Sequence, residues 1–211
     1  MALPEKQRKA FENILLNRQL TPPPPGVDPK NAQSDCGREV EDILENEYCI
    51  PDKLKNGWYP TFSGGVDIQA PWGDVEVKTR QLGCSSRVNI GAITTKELDQ
   101  CILRDLPFED TDFSRYACDH MWSFYNELFK IVKVEFHDMS YHSDLYKIAY
   151  EILKNTDNVQ NEKYINVINS KMVWERTSET ASQWKLRVTE KELNKLFQAC
   201  NGQRFFEFEE V

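Results

Sequence analysis

The sequence predicts an α/β domain, a mixed central β-sheet flanked by helices, with a helical arm at the N-terminus. Three observations carry that prediction. Segments with apolar residues at helical spacing alternate along the chain with short runs of period two. The 211 residues suffice to bury a sizeable core without disulfides. A proline run from Pro22 to Pro25 divides the first helical segment from everything that follows.

From Pro4 to Leu20, the residues Ala10, Phe11, Ile14, Leu15 and Leu16 recur at helical spacing with charge on the opposite face. The prolines, with Gly26 and Pro29, cannot continue that helix and read as a stiff extended connector. Residues 1–33 are therefore expected to form an arm or lid, packed on the body or on a partner, and residues 34–211 the main domain. Ser34 and Asp35 are N-cap residues for a second helix running from Cys36 to Tyr48, with Val40, Ile43 and Leu44 on one side. A turn-rich stretch from Pro51 to Gly65 leads to two β-like runs, Val66 to Gln69 and Asp74 to Thr79. Ala70-Pro71-Trp72-Gly73 between them makes a hairpin the natural reading.

Arg87 to Ile93 is a third strand candidate, and Thr94 or Thr95 caps a short helix ending near Leu103. An acidic, turn-like stretch runs from Pro107 to Asp112. Beyond it Met121 to Phe129 reads as helix, Lys130 to His137 as a strand and Leu145 to Lys154 as a helix. Strands are expected at Met172 to Arg176 and Gln183 to Val188. The last helix, Glu190 to Cys200, is capped by Thr189 with Glu192 three places on. Phe205 to Val211 alternates aromatic and acidic residues, as a terminal strand or a partner contact does.

Composition narrows the function. Lys and Arg total 26 against 34 Asp and Glu, a net charge of -8, which excludes a blanket attraction to polyanions. A nucleic-acid partner must be met by a local basic groove, and Lys53, Lys55, Lys78, Arg80 and Arg87 are the candidates to line it. No segment approaches the roughly 20 apolar residues of a membrane span, and the first residues lack the apolar stretch of a signal peptide. A soluble, intracellular protein with no membrane partner is expected. The six cysteines form no C-x-x-C pair and the three histidines sit in no ligand pattern, so reduced thiols are expected and a zinc site is not.

The chemistry concentrates between Gly65 and Thr79. Period-two alternation on the second hairpin strand puts Asp74, Glu76 and Lys78 on one face and Val75, Val77 and Thr79 on the other. With a four-residue loop, Gln69 pairs with Asp74 and Ile68 with Val75, so Asp67 stands opposite Glu76 at roughly 5 Å. Opposed carboxylates destabilise a sheet unless a cation compensates them. Hard oxygen ligands with open positions suit Mg²⁺, which takes one or two protein carboxylates and fills the rest with water and substrate phosphate. A register shifted by a residue pair would bring in Asp74, and a shift of one would carry Asp67 to the other face. The bland alternative is an exposed strand with a lateral salt bridge.

Asp67, eight residues, then Glu76-Val77-Lys78 resembles the PD-(D/E)xK nuclease motif, D-x(n)-E-x-K on a hairpin. The superfamily includes type II restriction endonucleases and MutH. Gly37-Arg38-Glu39-Val40-Glu41 is similar to the G-x-x-x-E pattern on the helix before the hairpin in MutH-like enzymes. Val66 stands where the motif name has proline. The resemblance implies a restriction-endonuclease-like fold in which Arg87 to Ile93 is the next core strand and Lys130 to Phe136 a later one. It implies that Asp67, Glu76 and the Val77 carbonyl hold one or two Mg²⁺ ions, that Lys78 orients the attacking water, and that Glu41 is a third acidic group.

The expected function is then a Mg²⁺-dependent type II restriction endonuclease. It would cut double-stranded DNA at a short specific sequence, leave a 5′-phosphate and 3′-hydroxyl, and work in a bacterial cytoplasm, with a homodimer or sequential nicking cutting both strands. A repair or junction-resolving nuclease with the same site, or a non-catalytic acidic interaction domain, are the alternatives. Arg80, Arg87, Lys185 and Arg187 are the candidate DNA contacts; the last two lie in Trp184-Lys185-Leu186-Arg187, where aromatic and basic residues interleave.

Overall fold

The computed structural model describes residues 3–27, 29–51, 67–70, 72–84, 87–176 and 182–200, with the side chains of residues 29–32 left aside. Lys53, Lys55, Val66 and the run from Phe205 lie outside these residues. The helices are α1 (Glu5–Leu15), α2 (Pro29–Leu44), α3 (Thr95–Arg104), α4 (Ser143–Lys154) and α5 (Glu190–Cys200). The strands are β1 (Ile68–Ala70), β2 (Gly73–Gln81), β3 (Val88–Thr94), β4 (Asp119–Tyr125), β5 (Ile131–Asp138), β6 (Tyr164–Ile168), β7 (Met172–Glu175) and β8 (Gln183–Val188). No helix among the described residues is long and apolar enough to cross a membrane.

The chain is mixed α/β, but the strands make two four-stranded sheets where one central sheet was expected. Residues 1–84 and 118–138 form one compact unit, and residues 85–117 and 139–211 another. In the first unit the order is β1-β2-β4-β5: β2 is antiparallel to β1 and parallel to β4, and β4 is antiparallel to β5. In the second the order is β3-β8-β7-β6, all antiparallel. The segment expected to extend the hairpin's sheet, β3, belongs to the second sheet. On its other side from β1, β2 pairs with β4.

The hairpin takes the register its sequence specifies: Ile68 pairs with Val75, Gln69 with Asp74 and Ala70 with Gly73. Gly73 closes it at φ +139°, a conformation that side chains rarely adopt. The helix expected from Met121 is instead strand β4, all seven residues of which are buried. A strand covered on both faces loses its polar alternation and reads as a continuous apolar run, which spacing alone does not distinguish from a helix.

One face of the first sheet packs its Val75, Val77, Met121 and Tyr125 side chains against Phe11 and Leu15 of α1 and Val40 and Leu44 of α2. The N-terminal helix is therefore built into this core. Ser34 and Asp35 do not cap α2, which starts at Pro29: proline at a first helical position loses no hydrogen bond, since that N–H has no partner in the helix. Beyond α1 the chain is tied on both sides. Asn17 N–H donates to the Ile131 carbonyl (2.9 Å), and Thr21 N–H donates to the Glu39 carboxylate (2.8 Å).

In the second unit, cross-strand rows place Val188 beside Met172, Leu186 beside Trp174 and Trp184 beside Ile93, all buried. Trp174 Nε1 donates to the Ala149 carbonyl of α4 (2.7 Å) and Tyr146 Oη to the Ile90 carbonyl (3.1 Å). The Thr94 hydroxyl accepts from Glu97 N–H (3.0 Å), capping α3 as expected. Gly91 lies where a Cβ would stand 2.9 Å from Phe113 Cε2 and 3.3 Å from Tyr116 Cγ. Gly91→Ala is expected to lower unfolding stability by about 1–3 kcal/mol; a urea midpoint equal to wild type would contradict that packing.

Candidate active site

Two elements of the first unit supply the candidate residues. The hairpin brings Asp67 alongside β2, where its Oδ2 accepts from the Val77 N–H at 2.7 Å. Strand periodicity sends Glu76 and Lys78 to the face opposite buried Val75 and Val77, and the Lys78 ammonium contacts Glu76 Oε1. Glu76 is only 3% exposed, and its other oxygen, Oε2, is buried with no hydrogen-bond partner among the described residues. Glu41, half-buried on α2, interacts electrostatically with both Asp67 and Lys78.

These four groups feel one another's charge. Burial first, then the Asp67 carboxylate, raises the Glu41 carboxyl from its usual 4.5 to about 7, against the pull of Lys78. Burial also raises Glu76 to about 7, with Lys78 opposing and Asp67 and Glu41 adding to the rise. Two of the three carboxyls thus hold protons far more firmly than free side chains do.

The stability consequence has a definite sign. An unfolded glutamate titrates near 4.5, so between about 4.5 and 7 the folded protein binds more protons than the unfolded chain. The stabilisation is present below the lower value and is lost as pH rises through the upper one. For Glu76 it amounts to on the order of 3 kcal/mol. The melting temperature is expected to fall from about pH 5 to about pH 8, and Glu76→Gln is expected to flatten that slope. A wild-type profile that is level across this window would contradict the buried carboxyls.

Among the described residues, no group of three or more His, Cys, Asp or Glu side chains stands ready to hold a metal ion. The donor set nevertheless fits a hard dication of the Mg²⁺ kind, which needs only one or two protein carboxylates. Glu76 Oε2 is a buried oxygen with no hydrogen-bond partner among the described residues, and a bound cation would offset the burial and the Asp67 charge that raise Glu41 and Glu76. Val77, read as a ligand through its carbonyl, buries its side chain in the core and gives its N–H to Asp67.

The candidate DNA contacts separate. Arg80 is 3% exposed, and its guanidinium is turned onto the Cys84 carbonyl, closing the end of β2; a phosphate contact there is not what the side chain makes. Arg87, Lys185 and Arg187 belong to the second unit, on β3 and β8 or just before them. Two neighbours of the cluster carry no sequence motif. His120 is buried on β4 directly beside Glu76 in the parallel ladder, and the charge of Glu76 adds to burial in raising the Cys118 thiol. Only the pairing of β2 with β4 brings them there, and no local spacing signals that pairing. The chain matches no protein-family model, no curated protein and no solved structure; its function is read from the cluster itself.

Proposed function

We propose that the protein is a Mg²⁺-dependent endonuclease that hydrolyses phosphodiester bonds of double-stranded DNA. The reading extends to a type II restriction enzyme with a MutH-like core in a bacterial cytoplasm. One observation carries it: Asp67 accepts from the Val77 N–H of β2 at 2.7 Å, the Lys78 ammonium contacts Glu76 Oε1 on the same strand, and Glu41 of α2 lies within electrostatic reach of Asp67 and Lys78.

Asp67 and Glu76 would hold the cation, with the Val77 carbonyl as the resemblance implies. Bound there, Mg²⁺ supplies polarisation of the phosphoryl oxygen and acidifies a coordinated water. The chain's own residues do the rest. The Val77 N–H fixes the Asp67 carboxylate against β2, so one ligand is oriented before substrate arrives. Lys78, on the same face as Glu76, presents an ammonium that can hold the attacking water and offset charge developing on the phosphate. Glu41, poised near neutrality, can take up a proton close to the reacting centre. Inversion at phosphorus with loss of the 3′ oxygen leaves a 5′-phosphate and a 3′-hydroxyl. Cutting both strands then takes a second copy or successive nicks.

The test is incubation of plasmid DNA with wild type and Lys78→Ala, with and without Mg²⁺. Discrete fragments formed by wild type only with Mg²⁺ support the reading. Intact plasmid, or equal cutting by Lys78→Ala, overturns it.

A further inference from the structure

The second sheet has two unlike faces. One carries the apolar rows described above. On the other, the register lines up Asn89, Arg187, Val173 and Asn166 in one row and Ala92, Lys185, Glu175 and Tyr164 in the next. Thr94 and Gln183 begin a third. Val173 is the only large aliphatic residue among these ten, and it is fully buried. α4 packs on the apolar side, through Trp174 and the Ala149 carbonyl. Tyr164, Asn166, Gln183 and Thr94 are exposed in the whole chain.

Arg87 completes the polar face. Its guanidinium lies 5.0 Å from the Tyr164 ring centroid and donates to the Ser170 carbonyl at 3.0 Å. Among the residues named, three cations, Arg87, Lys185 and Arg187, share this face with one carboxylate, Glu175, which sits 3.4 Å from Arg187. The Arg187 Nε is buried and has no acceptor among the described residues. In a chain of net charge -8, this is a local reversal of sign.

We propose that this face of the second sheet is a docking surface for duplex DNA. Phosphates would lie against Arg87, Lys185 and Arg187, while the amides of Asn89, Asn166 and Gln183 face the base edges. Charge complementarity selects a polyanion, and the interspersed amides favour a nucleic acid over an acidic protein. Asn and Gln side chains can bond adenine edges in pairs, whereas Arg and Lys anchor the backbone. The proposal takes from the nuclease reading only that the substrate is duplex DNA.

The experiment measures anisotropy of a short fluorescent duplex of mixed sequence, in EDTA and over a range of NaCl, with the full-length wild type and Arg87→Gln/Lys185→Gln. Loss of two phosphate contacts is expected to weaken binding at least tenfold, by about that order, and to reduce the log–log salt slope by about two. Circular dichroism melting checks the fold. If the double variant melts early, Lys185→Gln alone is expected to lower the slope by about one. An unchanged affinity and slope overturns the surface, as does displacement of the duplex by polyglutamate as readily as by unlabelled DNA.

Plasmid cleavage in Mg²⁺, run in parallel, separates the two proposals. Duplex binding that depends on these cations in a protein that does not cut supports the surface and sinks the nuclease reading. Metal-dependent cutting with unchanged variant binding does the reverse. A wild type that binds no duplex overturns both.

Discussion

Lys78→Ala is expected to cut duplex DNA about 10²–10³-fold more slowly than wild type while holding Mg²⁺ at least as tightly. The two effects have separate causes. The ammonium stands against Glu76 Oε1, where it competes with any cation for that oxygen, and removing it frees the ligand. In the proposed reaction the same ammonium would lie beside the reacting phosphate, so its loss would remove stabilisation that matters in the transition state. Asp67→Asn should behave differently, losing cation binding and cleavage together, because its carboxylate would be both a charge and a ligand oriented by the Val77 N–H. Single-turnover cleavage rates and Mg²⁺ titrations on the two variants read the split. Weaker Mg²⁺ binding by Lys78→Ala would contradict the competition at Glu76.

Phe11→Ala is expected to lower unfolding stability by about 3–5 kcal/mol, a large part of what a domain of this kind has. The ring is fully buried, with its centroid 4.7 Å from that of Tyr48, 6.3 Å from Trp72 and 6.4 Å from Phe136. Its removal leaves a cavity lined by three aromatic groups held by a helical turn, the hairpin turn and β5. The segment after the helix adds backbone bonds along β5: Ile131 N–H donates to the Arg18 carbonyl at 2.8 Å and Leu20 N–H to the Phe129 carbonyl at 2.8 Å. Urea unfolding measures the loss. A change below about 1 kcal/mol would mean that α1 contributes little to this core.

The hairpin was legible in the sequence because its information is local. A proline and a glycine inside four residues set the turn, and one polar face alternates with one apolar face, so the register follows from Val75 and Val77 alone. Thr94 and Thr189 announced α3 and α5 through their hydroxyls, which accept from Glu97 N–H and Glu192 N–H. The misreadings share one origin. β4 spells a helix because burial on both sides leaves no alternation to read, and β6 gives no clear signal, its residues being only half-buried or exposed.

That β3 joins β8 rather than the hairpin is a matter of pairing between distant segments, which no window of sequence encodes. In the site, charge type and spacing pointed to Asp67, Glu76, Lys78 and Glu41. Arg80 follows the same alternation two residues on, yet the turn after β2 offers it a carbonyl, and burial there removes it from any surface. Of the remaining basic residues, Arg87 follows the motif in sequence and Lys185 and Arg187 interleave with Trp184 and Leu186; they share one sheet face because β3 and β8 are neighbours.

Calorimetric titration of Mg²⁺ into wild type and Asp67→Asn near pH 7, in two buffers of different ionisation enthalpy, bears most directly on the four-residue cluster. Binding to the wild type should release protons from Glu41 and Glu76, which sit near half-protonation at that pH, and the signal should vanish in Asp67→Asn. Wild-type heats with no buffer dependence, or no Mg²⁺ binding in the millimolar range, would contradict a dication site built on these carboxylates.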